Sequence, residues 1–277
     1  MFNLPPPQDD GLCIPEVPEH SKYKHHFVRR YIDAFITSMK NKNWAGLHYI
    51  DLFAGAGIEK LRTSRQLDWG SPMIAAKAPH PFTKLHLCED DLEKYSALKT
   101  RINQVRPDSQ VIHGDAKEKI FDIINDIPDR TLSLAFLDPY GLHLSFDTLR
   151  ILAQKRTDLI VFFPDRLDAL RNWAAYYLDN PDSNLDHCLG SAVDWRSRLN
   201  ETPSDQHAQI LRDMYIEQMQ KELGYTNFDF ERISTVKGQP LYYLIFCSHS
   251  ETGAHLWRKI AEKKPDGQRT FKFQSDL

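Results

Sequence analysis

The sequence predicts an α/β fold built on a mostly parallel sheet, and three observations predict it. The first is the stretch from His48 to Ile58, HYIDLFAGAGI, in which an apolar run ends in an acid and then a glycine turn. The second is a series of further apolar runs, KLHLCED, QVIHGDA, LSLAFLDPYG and DLIVFFP, separated by amphipathic segments of helical period. The third is a closing pair, FDFERIST and LYYLIFCSHS, around the turn Val236-Lys237-Gly238-Gln239-Pro240, which reads as a β-hairpin.

A length of 277 residues suits one large α/β domain, or one domain with an inserted module. Hydrophobic content of 41% and charged content of 26% are ordinary for a globular chain. The net charge of −3 gives no global pull toward nucleic acid, so any such binding has to come from a local patch. The four cysteines, Cys13, Cys88, Cys188 and Cys247, show no CxxC and no zinc-like spacing. A reducing cytoplasm is the expected location. Nothing resembles a signal peptide or a membrane span, and no membrane partner is expected.

Residues 1–18 are rich in proline and polar groups and read as a flexible, extended arm ahead of a domain covering 19–277. From His20, HSKYKHHFVRRYIDAFITSMKNK places Tyr23, Phe27, Tyr31, Ala34 and Phe35 at helical spacing. Its other face carries Lys22, Lys24, His25, Arg29 and Arg30, for which simple solvation is the expectation. No third ligand is spaced to make His25-His26 a metal site, and no metal is expected.

In the first strand Leu47, Tyr49, Ile50, Leu52 and Phe53 are apolar, as a parallel strand covered on both faces requires. Gly55 and Gly57 then allow a tight turn and close approach of the backbone to a ligand. Glu89, ending the second strand, is placed to accept hydrogen bonds from a ribose diol. Its distance from Gly55 exceeds the roughly 20 residues of a dinucleotide fold. The excess lies in EKLRTSRQLDW, read as a polar inserted loop before a helix capped by Ser71 with Pro72 at its first position. That helix is then not aimed at the glycine turn, which disfavours a pyrophosphate and leaves a cofactor without phosphates.

Next comes DLEKYSALKTRI, an amphipathic helix, and a third strand ending at Asp115. That acid either accepts from an adenine amino group or caps the following helix AKEKIFDIIND. The strand LSLAFLDPYG ends in Asp138-Pro139-Tyr140 at the same sheet edge as the glycine turn. A carboxylate, a proline without a donor and an aromatic face suit a planar group with an amino hydrogen to donate. After DLIVFFP, about sixty residues precede the next strand where one helix is usual, so residues 165–224 are expected as an inserted helical module. Its Arg166, Arg171, Trp173, Tyr176, Tyr177, Trp195, Arg196 and Arg198 mix cations and aromatics, the composition used to stack bases and hold phosphates. Packing of the module on its domain is the commoner role of such aromatics, and Arg166, Arg171, Trp173, Arg196 and Arg198 are the substrate candidates.

Together DLFAGAG, GSPMIAAK, FLDPYG, YYLIFCSHSETG and the KHHFVRRYIDAF helix resemble the three-Cys-motif partner (TcmP) family, which is itself similar to class I S-adenosylmethionine (SAM) methyltransferases. The resemblance covers most of the chain beyond the arm, with the middle module least characteristic. It implies a Rossmann-like SAM-binding sheet, mostly parallel, with a C-terminal antiparallel hairpin and an inserted helical module. It also implies a companion protein bearing a three-cysteine motif and similar to radical-SAM enzymes. The cofactor-facing set is then Asp51, Phe53, Ala54, Gly55, Ala56, Gly57, Glu89, Asp90, Asp115 and Ala116, and the catalytic set Asp138, Pro139 and Tyr140.

DLFAGAG also looks like the cofactor motif of cytosine-C5 methyltransferases, but those need a Pro-Cys nucleophile and no cysteine here follows a proline. Asp138-Pro139-Tyr140 is similar to the DPPY motif of amino-group methyltransferases with one proline missing, and closer to the DPFG of a tRNA guanine-N2 methyltransferase. Methyl transfer to a nitrogen of a nucleobase or other planar amino-bearing acceptor is the leading expectation, with nucleic acid a candidate partner. A non-catalytic SAM-binding scaffold for the companion is the alternative. An NAD-dependent oxidoreductase ranks third, since Lys60 stands where GxGxxG would end.

Overall fold

The computed structural model describes residues 2–165, 169, 172, 176–190, 193–234 and 240–262. An extended arm ends in the short strand β1 (Glu16–Val17) and leads into α1 (Ser21–Met39). There follow β2 (Leu47–Asp51), β3 (Ile58–Leu61), β4 (Leu67–Trp69), α2 (Ser71–Ala76), β5 (Lys84–Glu89) and α3 (Leu92–Val105). Then come β6 (Gln110–His113), α4 (Ala116–Asn125), β7 (Leu132–Leu137), α5 (Phe146–Leu152) and β8 (Thr157–Phe163). The rest holds α6 (Asn184–Leu189), α7 (Trp195–Asn200), α8 (His207–Leu223), β9 (Asn227–Ser234), β10 (Pro240–Ser248) and α9 (Glu251–Ala261).

Seven strands form one sheet in the order β6-β5-β2-β7-β8-β10-β9. The first five are parallel, and β10 runs antiparallel between β8 and β9. Counted within this sheet the order is 3-2-1-4-5-7-6, the Rossmann-like arrangement with a closing antiparallel pair. Every residue of β2, β7 and β8 is buried, because helices cover both faces. On one face Phe27 and Tyr31 of α1 pack with Phe246 of β10 and Trp257 of α9. On the other lie α4, α5 and the inserted helices, where Tyr215 of α8 stacks on Phe163 of β8 with centroids 4.8 Å apart. From β2 the chain steps outward to β5 and β6, then returns through α4 to β7 on the opposite side of β2. That reversal opens a crevice at the carboxyl ends of β2 and β7, where sheets of this kind bind ligands.

Several local expectations change. The stretch Glu59 to Trp69, expected as a loop, is the hairpin β3–β4, with Ile58 and Leu61 turned inward and Glu59 and Lys60 partly exposed. The arm is extended, as its prolines require, but it is strapped down, and β1 pairs parallel to β3. Lys60 N–H donates to Pro15 O at 2.9 Å, Arg62 N–H to Val17 O at 2.9 Å, and the Trp69 indole to Pro5 O at 2.7 Å. Gly70, not Ser71, occupies the cap of α2, and the Ser71 hydroxyl is spent elsewhere. The helix α5 was not expected, although Ser145 caps it by accepting from Thr148 N–H at 3.3 Å. The hairpin turn at 236–239 lies outside the described residues, between paired strands. Among the described residues no helix is long and apolar enough to cross a membrane.

Candidate cofactor and acceptor site

Beyond β2 the chain turns through Gly55 and Gly57, at φ of +64° and +88°. The two glycines serve different ends. A Cβ on Gly55 would meet nothing within 4 Å, so its face is open toward the crevice. A Cβ on Gly57 would lie 2.9 Å from Met73 Cγ, so this glycine lets α2 close against the turn. Gly70 N–H donates to Gly57 O at 2.9 Å, which brings the start of α2 nearer the turn than an inserted loop suggested.

Glu89 reaches from β5 under the turn, accepting from Gly55 N–H at 2.7 Å and from Asp91 N–H at 3.0 Å. Two backbone donors hold the carboxylate in place while its remaining lone pairs stay available. Asp51 is fully buried and accepts from the Ser71 hydroxyl at 2.6 Å, the Tyr49 hydroxyl at 3.2 Å and Phe53 N–H at 3.3 Å. Burial pushes its carboxyl up to about 7, against the pull of the Ser71 and Phe53 donors, and the nearby Asp138 adds to the rise. The structure thus makes Asp51 a brace beneath the turn. Ala54 and Ala56 are buried, Phe53 is half-buried and Asp90 is exposed. Asp115 caps α4, accepting from Lys117 N–H at 2.7 Å, and Ala116 is buried behind it.

On the other flank of β2, Asp138 follows β7 and accepts from the Lys24 ammonium of α1 at 2.5 Å. The basic face of α1 is therefore not simply solvated. Lys24 also lies 5.1 Å from the Phe162 ring centroid, His25 sits buried between Glu59 and Asp68, and Arg30 donates to Ile260 O at 2.5 Å. Burial opposes charge on His25, but Glu59 and Asp68 outweigh it and its pKa is raised. Sequence reasoning missed Lys24, yet a signal exists, because it precedes the fully buried Phe27 and Val28 by three and four residues and so borders the apolar stripe. Tyr242 packs on Phe162 at 4.4 Å, and half-buried His20 lies 5.6 Å from Tyr242. Burial and then the Asp138 charge drive the Tyr242 hydroxyl well above its ordinary range. Pro139 is buried, whereas Tyr140 is 90% exposed.

The inserted helices place their cations differently from the expectation. Arg196 bonds Asp186, Leu178 O, Tyr177 O and Asn180 O and lies 4.2 Å from the Trp195 ring centroid. Burial works against the Asp186 carboxylate, but Arg196, Ser183 and Trp195 hold its pKa well below the usual range. Arg196 thus staples its own module, with Nε, Nη1 and Nη2 each bonded within it. Arg198 pairs with Glu217 at 3.1 Å on the surface. Arg166, Arg171 and Trp173 lie outside the described residues.

No family model and no curated protein matches this chain. Its fold is similar to that of protein LPL1258 from Legionella pneumophila, a DUF519 protein, at TM-score 0.53 and 10% identity over 90% of this chain and 95% of that one. A Bacillus cereus O-methyltransferase crystallised with SAH aligns at TM-score 0.47 and 11% identity, covering 79% of this chain and 80% of that one. The M. jannaschii TYW2 structure with AdoMet aligns at 0.41 and 12%, covering 81% and 74%. At such identities the likeness is one of fold, and the site has to be argued from this chain's own residues.

Proposed function

We propose that the chain is a SAM-dependent methyltransferase acting on a nitrogen of a planar, amino-bearing acceptor such as a nucleobase, together with a three-Cys-motif companion protein. One observation carries this reading: Glu89 and Asp138 stand at the carboxyl ends of β5 and β7, the two strands that border β2 at the switch point, and Gly55 just beyond β2 faces open space. The residues fit the cofactor, since a turn without a side chain admits a ligand and a fixed carboxylate beside it can accept from two ribose hydroxyls. When bound, SAM would supply a sulfonium methyl for in-line attack by a nitrogen lone pair, with S-adenosylhomocysteine as the leaving thioether and the extra proton on nitrogen passing to solvent.

In this reading Glu89 anchors one end of the crevice and Asp138 accepts an N–H of the acceptor, aiming the nitrogen lone pair inward. Lys24 keeps its bond to one Asp138 oxygen, and the acceptor's N–H is received by the other. Tyr140 offers an exposed ring for stacking the acceptor. Rate comes mainly from alignment, which can supply several orders of magnitude of effective concentration. The closed Lys24–Asp138 pair also favours a second reading, a SAM-binding scaffold in which Asp138 never opens. Incubating the protein and its companion in cell extract with methyl-labelled SAM separates the two. Label in acceptor with wild type and none with Asp138→Ala supports the enzyme, and no label in any arm supports the scaffold.

A further inference from the structure

Arg101 of α3 is a buried guanidinium, 3% exposed, that no part of the reading above uses. Its fork bridges the N-terminal arm and the glycine turn. Nε and Nη2 donate to the two carboxylate oxygens of Asp10 at 2.8 and 2.6 Å, and Nη1 donates to Cys13 O at 2.9 Å, all within the arm. The same Nη1 donates to Ala56 O at 2.6 Å, inside the glycine turn. Ala56 sits between two glycines with positive φ, the part of the turn whose backbone is least restricted by its own residues. The planar fork of arginine holds a carboxylate through two parallel bonds while its remaining N–H groups reach carbonyls, a geometry that the single ammonium of lysine does not reproduce.

We propose that the N-terminal arm is a working part of the cofactor site and that Arg101 is the positioning residue that couples it to the glycine turn. Further bonds hold the arm on both sides of this point, where the Trp69 indole donates to Pro5 O and Lys60 N–H donates to Pro15 O. The segment around Cys13 also runs beside Asp91 and Glu93, next to the Asp91 N–H that holds Glu89. The arm therefore braces the turn through Ala56 and borders the acid on its far side. Without Asp10 the buried guanidinium loses its counter-charge and reorients, and the Ala56 carbonyl loses its fixed donor. Where SAM binds as proposed above, the coupling is reciprocal, so the cofactor also steadies the arm.

The test uses full-length Asp10→Ala and Arg101→Lys, with Asp108→Ala as control, since Asp108 pairs with Arg106 just beyond the C-terminal end of α3 and bonds neither the arm nor the turn. Asp10 is partly exposed, so its replacement leaves the core intact even if Arg101→Lys fails to fold. Hydrogen exchange is read at the amides of Ala54 to Gly57 and, for comparison, in β8, and SAM affinity is read by calorimetry. The expected result is about tenfold faster exchange in the turn and about tenfold weaker SAM binding for Asp10→Ala, with β8 and the control unchanged. Unchanged turn exchange in Asp10→Ala overturns the proposal whether or not SAM binds. If the wild type binds no SAM, the cofactor reading fails, and faster turn exchange in Asp10→Ala still supports the coupling.

Discussion

Asp51 gives the most quantitative prediction, because it is wholly buried and its carboxyl is pushed from an ordinary 3.8 up to about 7. Between those two values the unfolded chain has released this proton and the folded chain still holds it. Stability from this group therefore falls as pH rises toward neutrality and levels off above it. Each pH unit is about 1.4 kcal/mol, so the full penalty above neutrality is about 4 kcal/mol, of which about 2 kcal/mol develops between roughly pH 5 and pH 7 and about 3 kcal/mol by roughly pH 8. Asp51→Asn cannot ionise and keeps one acceptor oxygen for the Ser71 hydroxyl. Losing the other acceptor costs about 1 kcal/mol at every pH. Urea unfolding of both proteins at about pH 5 and about pH 8 should show the wild type losing about 3 kcal/mol more than the variant between the two. Asp158, also buried and raised to about 6, contributes equally to both proteins and cancels in the difference. Parallel pH dependence in the two proteins would refute a proton held on Asp51.

Other expectations follow from the same geometry. Gly57→Val puts a branched side chain at φ +88° against Met73 and should cost about 2 kcal/mol or more, read as a lower melting temperature. Gly55→Ala meets open space, should stay within about 1–2 kcal/mol of wild-type stability and should still weaken SAM binding in a titration. Arg196→Ala strands the Asp186 carboxylate and should destabilise the inserted helices by about 3 kcal/mol, whereas Arg198→Ala, at an exposed pair, should change stability by less than about 1 kcal/mol, both read by thermal unfolding. Asp138→Ala should stop methyl transfer while leaving SAM affinity within about twofold, and a parallel loss of SAM binding would move Asp138 into the cofactor site.

The sheet was legible because parallel strands covered on both faces must be apolar throughout, and runs such as Leu132 to Leu137 and Thr157 to Phe163 are close to that limit. The closing hairpin was legible from the length of its two strands and the turn residues between them. Hairpin β3–β4 was not, since its strands are short and Glu59, Lys60 and Arg62 are the polar residues a loop would carry. Helix α5 carried a readable signal in Ser145 followed by Phe146, Leu149 and Leu152 at helical spacing. At the site, Glu89 and Asp138 were visible because strand ends at a switch point are marked by the strands themselves. Lys24 was not, because its partner Asp138 lies 114 residues away and no local pattern records a pairing across that distance. Arg101 was hidden for the same reason, with Asp10 lying 91 residues before it. The internal bonds of Arg196 were not legible, because a cation beside a tryptophan looks alike whether it meets a phosphate or its own chain's carbonyls.

The central claim is that the crevice at Gly55 and Glu89 holds SAM, and calorimetric titration of the purified wild type with SAM, and separately with NAD, tests it most directly. Saturable binding of SAM at one site, reduced in Gly55→Ala and absent for NAD, is the predicted result. Titration with SAM that gives no binding heat and no rise in melting temperature, from a protein that is folded, would contradict it.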